Sequence, residues 1–498
     1  MQRQPVTLFR DHAAAKGGAA PLEGTTSPSY HIWTIGCQMN TADSERLAGA
    51  LDQLGFRQAA SPAEADVVVL NSCVVRQSAE DKVTGRLGLM KPLKQKRPDQ
   101  VLALMGCMVG PKHDDLERRF PHVDVFMGPQ EYRPLLDLLG QRYGIDWEGC
   151  IGPLLPAHPE VSSYVPIIHG CDLFCAFCII PYRRGRQVSR PIPELVREVE
   201  LLAARGVREV TLLGQTVDAY GRDLPEQPDL ADLFHAIHDT PGLDRIRFLT
   251  SHPSFMSQRI IQAVADLPKV CEQINLPIQA GDDAVLERMR RTYTVAHYRE
   301  LVSSIHQTVP GVALSTDVIV GFCGETDAEF QHTLDLLQDL RFDKVHVAAY
   351  STREGTIAAR RLEDTVPREE KDRRRKAVEE LQEKTAAAIN APLQGQTLEV
   401  LVDGMERGRW KGRTRTDKLV FFSHGGASSE PTLGTGVQED RNLQLQPMGV
   451  SQPDETRAAS WSEGEADYHG QMVQVRIDKS SAWSLQGTPV AREEQGKR

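Results

Sequence analysis

Short apolar runs and longer helix-period segments alternate along most of this chain. Strand-like runs at 31–35, 66–70, 101–105 and 123–126 enclose helical patterns at 42–54 and 78–90. Alternation of this kind predicts a parallel sheet with helical crossovers. The rhythm recurs with strands expected at 164–168, 209–213, 245–249, 273–276, 314–320 and 345–350, and helices at 193–204, 230–238, 257–267, 295–307 and 328–340. This second series suits an incomplete barrel as well as an open doubly wound sheet, because periodicity alone does not decide closure. A mixed-charge helix at 368–384 reads as a link whose Arg373-Arg374-Arg375-Lys376 is a solvated face. Beyond it, 397–402 and 471–477 alternate as strands bounded by glycine and predict a small β-barrel. The lead, 1–28, and the Ser/Gly/Pro/Glu/Gln-rich stretch 423–467 lack apolar periodicity and read as disordered, the latter as an insertion in the barrel. The expected division is therefore 29–145, 157–388 and 391–492, which agrees with a 498-residue chain at about 150 residues per domain.

Cysteine placement changes this from a fold outline to a chemical one. Cys171, Cys175 and Cys178 follow the strand at 164–168 with C-x3-C-x2-C spacing, three thiolates where a cubane iron–sulfur cluster has four irons, so one iron stays open to a reactant. A zinc knuckle is the alternative, although His169 stands too near Cys171 for finger spacing. Cys37, Cys73 and Cys107 each follow one of the first three strands, at carboxyl ends where parallel sheets keep their ligands. They read either as a second three-thiolate site or as buried core cysteines.

Composition narrows the setting. Nine cysteines fit a disulfide framework poorly, and no run approaches the roughly 20 apolar residues of a membrane span. Met1–Gly24 lacks an apolar signal core, so a cytoplasmic protein with reduced thiols is expected. With a net charge of −10, nucleic acid must be held by local patches. The candidates are Arg183, Arg184 and Arg186 with Arg190, and the stretch from Arg407 to Arg415, where Trp410 could stack a base. Arg247 and His252 are placed near the barrel mouth, His252 in a structural role.

The central run, with Phe177 before its third cysteine, resembles the radical S-adenosylmethionine (SAM) superfamily. Gly36-Cys37-Gln38-Met39-Asn40, Asp43-Ser44-Glu45, Asn71-Ser72-Cys73 with Arg76, Gly106-Cys107 and Pro181-Tyr182-Arg183-Arg184-Gly185-Arg186 extend that resemblance to the methylthiotransferases over about residues 30–490. It implies an α/β fold: an N-terminal parallel α/β domain, a radical SAM partial (β/α)6 barrel and a small C-terminal RNA-binding β-barrel of the TRAM type. It implies two [4Fe-4S] clusters, a SAM-cleaving one on Cys171, Cys175 and Cys178 and an auxiliary one on Cys37, Cys73 and Cys107, with Phe177, Gly214, Gln215, Gln279 and Glu325 around SAM. The implied reaction places a methylthio group on C2 of N6-isopentenyladenosine beside the anticodon of tRNA. Relatives that act on threonylcarbamoyl-adenosine or on a ribosomal protein are the alternatives within the class, and a non-catalytic iron–sulfur or zinc RNA-binding module lies outside it. A flavodoxin or ferredoxin as electron donor and a monomeric state complete the expectation. Cys323 and Glu354 stand where the family usually has proline, and Cys323, Cys150 and Cys271 are read as small apolar residues.

Overall fold

A computed structural model describes residues 27–74, 77–423 and 467–490. Most of the expected disordered lead and insertion, together with Arg76, lies outside the described residues. The first strands are β1 (Ser29–Ile35), β2 (Arg57–Gln58), β3 (Val67–Ser72), β4 (Val101–Gly106) and β5 (Val125–Met127). They form one parallel sheet in the order β2-β1-β3-β4-β5. Every residue of β3 and β4 is buried, as a near-continuous apolar run in a parallel sheet covered on both faces must be. One cover includes the helix Arg133–Tyr143, which the hydrophobic pattern did not lead us to expect. It puts Leu135, Leu136 and Leu139 on the sheet, and Pro134 fits its first turn, where no intrahelical N–H partner is needed.

The central strands are β6 (Ser162–Pro166), β7 (Ile168–His169), β8 (Val188–Ser189), β9 (Glu209–Leu213), β10 (Arg245–Phe248), β11 (Gln273–Asn275), β12 (Ala313–Val320) and β13 (Lys344–Ala349). β6, β9 and β10 are parallel neighbours, as are β11, β12 and β13. A parallel bridge between Ile246 and Val270 joins the two sets, so six strands follow one another in chain order around a single apolar core. The antiparallel pair β7/β8 brackets the Cys171–Cys178 loop. The helix Arg368–Asn390 corrects the expectation of a solvated link: it packs on β13 and buries Val378 and Ala386. Its Arg374 is buried and bonds Glu325, Asp327 and Glu370.

The last strands, β14 (Thr397–Glu406), β15 (Arg409–Arg413), β16 (Leu419–Phe422), β17 (Met472–Ser480) and β18 (Leu485–Pro489), close a barrel in the order β14-β15-β16-β18-β17. Val400, Val402, Val420, Phe422, Val475 and Ile477 fill it. The barrel is fastened to the base of the central strands. Arg245 donates to the Arg413 carbonyl at 2.7 Å, Arg247 donates to those of Thr414 and Arg415 at 2.6 and 2.8 Å, and Arg415 pairs with Glu272 at 2.7 Å. Arg247 therefore anchors the barrel and does not line the mouth.

Candidate active site

β1, β3 and β4 end at Gly36-Cys37, Ser72-Cys73 and Gly106-Cys107, which places three thiols at one edge of the sheet. Close approach there demands glycine. A Cβ on Gly36 would overlap Asn40 and the Cβ of Cys73, and one on Gly106, whose φ is +102°, would overlap Asn71 and the Ser72 carbonyl. Beneath the thiols runs a buried polar chain. Asn71 donates to the Asn40 carbonyl and to Ser44 at 2.8 Å each, Ser44 meets Thr34 at 2.7 Å, and Asn40 donates to the Ser72 carbonyl at 3.1 Å. Buried polar groups that satisfy one another in this way fix the positions of the strand ends. A hydrogen bond with Cys73 holds the Cys37 thiol down at about 6 against the opposing effect of burial, and the nearby Arg184 cation assists. Burial pushes Cys107 up.

The second set of thiols sits on one loop. Cys171 and Cys175 are buried and Cys178 is half-buried; desolvation raises Cys171, and it pushes Cys178 up to about 12. Thr216 lies 3.7 Å from the Cys171 sulfur. Arg291 donates to Cys175 at 3.4 Å and to the Pro277 carbonyl at 3.2 Å.

The two sets are neighbours. Met39 and Ala42, in the helix that follows Cys37, pack against Leu213 at the end of β9 and against Leu249 just beyond β10. Ile179 packs in the same apolar cluster as Cys73 and Cys107. Arg184, at the end of the short helix after Cys178, crosses to the N-terminal sheet and donates to Cys107 at 3.2 Å and to Asp43 at 3.2 Å. Neither Arg184 nor Asp43 exposes any side-chain surface. Burial works against the guanidinium charge, but Cys107 and Asp43 keep it on.

This geometry corrects the first basic patch. Arg184 is buried, Arg190 is engaged with Glu194 and Glu198, and Arg186 pairs with Asp172 at 2.6 Å. In the second patch Trp410 is 5% exposed and packs edge-on to Tyr468 inside the barrel, so its ring is not offered to a base. Arg413 pairs with Asp417, while Arg409 lies over Phe421.

Among the residues expected around SAM, Phe177 meets Phe322 edge-on at 6.4 Å. Gly214 directly follows β9 where any Cβ would strike Ile168, so packing alone calls for glycine there. Gln215 follows it half-buried, and Gln279, beyond the end of β11, has a φ of +74° and donates its backbone amide to the Asp317 carbonyl. Glu325 departs from the expectation. Its side chain is buried, bonds Arg374 at 2.8 Å and accepts from the Gly321 amide at 2.5 Å, which closes its own loop. His252 is structural, as expected: burial drives it down to about 2, and its Nδ1 accepts from the Ser254 amide. The spacing of the cysteines could not reveal Arg291, because it reaches Cys175 from an element far along the chain.

The donor chemistry fits iron–sulfur clusters. Among the described residues no three His, Cys, Asp or Glu side chains close on a single ion. Each of the two sets of three thiols instead has an arginine N–H aimed at a sulfur, an arrangement that favours thiolates.

Residues 165–337 match the radical SAM superfamily and residues 29–128 match the uncharacterized protein family UPF0004. The chain is 52% identical over 403 residues to the tRNA-2-methylthio-N(6)-dimethylallyladenosine synthase of Roseiflexus sp. (strain RS-1), covering 79% of this chain and 84% of that protein. The protein of that name from Chloroflexus aurantiacus is 45% identical, with 92% and 91% covered, and the one from Herpetosiphon aurantiacus is 48% identical, with 83% and 95% covered. The chain belongs to this family. It is a radical SAM methylthiotransferase, and the family's cofactors are SAM and [4Fe-4S] clusters. No helix among the described residues is long and apolar enough to cross a membrane.

Proposed function

We propose that this methylthiotransferase converts N6-isopentenyladenosine next to the anticodon of tRNA into its 2-methylthio derivative, the activity named for its relatives. Cys171, Cys175 and Cys178 hold the SAM-cleaving cluster, and Cys37, Cys73 and Cys107 hold the auxiliary one. When bound, the clusters supply the electron that cleaves SAM and the sulfur that is inserted, which an unactivated C–H bond at C2 requires because no side-chain base can ionise it usefully.

The chain's own residues position these groups. Arg291 and Arg184 place one cation on a thiol of each set, and the Asn40–Asn71–Ser44 chain fixes the strand ends that carry the auxiliary ligands. Phe177, Gly214, Gln215 and Gln279 border the mouth where SAM would lie, with Glu325 supporting the loop behind it. The same reading divides the chain at 29–145, 157–388 and 391–492, and places a monomer in the cytoplasm with a flavodoxin- or ferredoxin-type donor.

One observation carries the proposal: Arg184, on the short helix that follows the loop thiols, crosses to the N-terminal sheet and donates to Cys107 of the strand-end set. The test is anaerobic incubation of reconstituted protein with SAM, reductant and isopentenylated tRNA, followed by nucleoside mass analysis. A methylthio mass gain on the isopentenylated adenosine is expected. A gain on threonylcarbamoyl-adenosine or on a ribosomal protein, with none on isopentenyladenosine, would overturn it.

A further inference from the structure

Beside the cluster loop lies an open cavity of about 520 Å³ lined by Phe174, Tyr182, Arg290, Arg360 and Arg361, with Asp172 at its lip. Both walls hang from one residue of that loop. The Ala176 amide donates to the Met289 carbonyl at 2.9 Å, and the Ala176 carbonyl accepts from the Ala358 amide at 2.8 Å. Arg290 follows the first anchor, and Arg360 and Arg361 follow the second. The cations of the cavity are thus held in fixed relation to Cys175 and Cys178.

The rings are positioned as well. Phe174 adopts a φ of +47° and meets Tyr182 edge-on at 5.8 Å. Arg360 lies over Tyr182 and donates to its hydroxyl at 3.1 Å. Asp172 is neutralised by Arg186 at 2.6 and 3.0 Å, so the one carboxylate at the lip is already paired. Arg290 and Arg361 are exposed, and their side chains pair with no described residue. Free cations flanking aromatic rings, in a chain of net charge −10, mark a local site for a polyanion that carries flat groups.

We propose that this cavity binds single-stranded RNA beside the target adenosine, with a base against Phe174 and Tyr182 and backbone phosphates on Arg290 and Arg361. The inference rests on the tRNA reading above and adds the site that presents the anticodon loop to the cluster loop. A docked protein would want a broader, flatter face, whereas a concave site with two rings suits nucleotides.

The experiment compares reconstituted holoenzyme with the Arg290→Gln/Arg361→Gln variant and with Phe174→Leu, measuring equilibrium binding to an isopentenylated anticodon stem-loop at several salt concentrations. The double variant should bind about tenfold more weakly, with a salt slope shallower by about 1.4, as two single-strand phosphate contacts predict. Phe174→Leu should weaken binding without changing the slope, and iron content equal to that of the parent confirms an intact loop in both. Unchanged affinity and slope would overturn the proposal. So would unchanged RNA binding with turnover that falls under flavodoxin but not under dithionite, because the cavity would then serve the electron donor. If the parent binds the stem-loop with the expected slope but does not methylthiolate it, the reaction assignment fails while the site stands.

Discussion

Cys171, Cys175 and Cys178 are delivered by one loop, whereas Cys37, Cys73 and Cys107 arrive from the ends of three parallel strands that only the folded sheet brings together. The loop needs little beyond its own spacing, a pair of bracketing strands and the Ala176 anchors. The strand ends need glycines for close approach and a buried chain of Asn and Ser side chains to hold them in register. A site written locally tolerates change in the scaffold around it. One assembled from distant segments inherits every weakness of the sheet.

Substitution of the ligands should break this comparison most sharply. Cys175→Ala is expected to abolish 5′-deoxyadenosine release, while Cys73→Ala keeps that release and loses methylthio product; chromatography of both products checks it. If both variants made full product, the division of labour between the two sets would be wrong. Arg184→Ala comes next. It strands Asp43 in a buried setting, and breaking a buried pair costs about 3–5 kcal/mol, so chemical unfolding should show a loss of that order. Iron analysis should show the deficit on the strand-end set first, because Arg184 touches Cys107 and none of the loop thiols.

Trp410→Ala asks whether the terminal barrel resembles the loop or the sheet in its economy. Because the ring fills the barrel core, the substitution should cost about 3–5 kcal/mol in thermal or denaturant unfolding. A ring displayed for stacking would leave stability nearly unchanged and weaken RNA binding alone. The mildest effect concerns pH. Burial raises Asp218 to about 8, so the folded protein keeps a proton that the unfolded chain releases near pH 4. Stability therefore falls as pH rises from about 4 to about 8. Asp218→Asn retains an acceptor for the His252 amide and removes the titration, so melting temperatures measured across that interval should change less than in the parent.

Much of this was legible in the order of residues. The strand at 209–213 and the helix at 230–238 were placed to the residue, because parallel strands buried on both faces read as apolar runs and a helix with Asp229 at its cap announces its start. The loop cysteines were legible because their geometry is local. Arg184 was not, since a run of Arg183, Arg184 and Arg186 looks solvated until the fold shows one member crossing to Cys107. Trp410 misled in the same way: alternation along β15 sends it inward while its charged neighbours face out. Glu325 lies in a motif at the barrel mouth, yet its partner Arg374 sits on a helix whose charge run suggested solvent.

The clamp between Arg245, Arg247 and Arg415 and their carbonyl and carboxylate partners has a metrical consequence. A ligand that touches both the terminal barrel and the central strands meets two surfaces already set at one spacing, so no entropy is spent in aligning them on contact. The enzyme then behaves as a gauge, and substrates are sorted by whether their own dimensions match that built-in span.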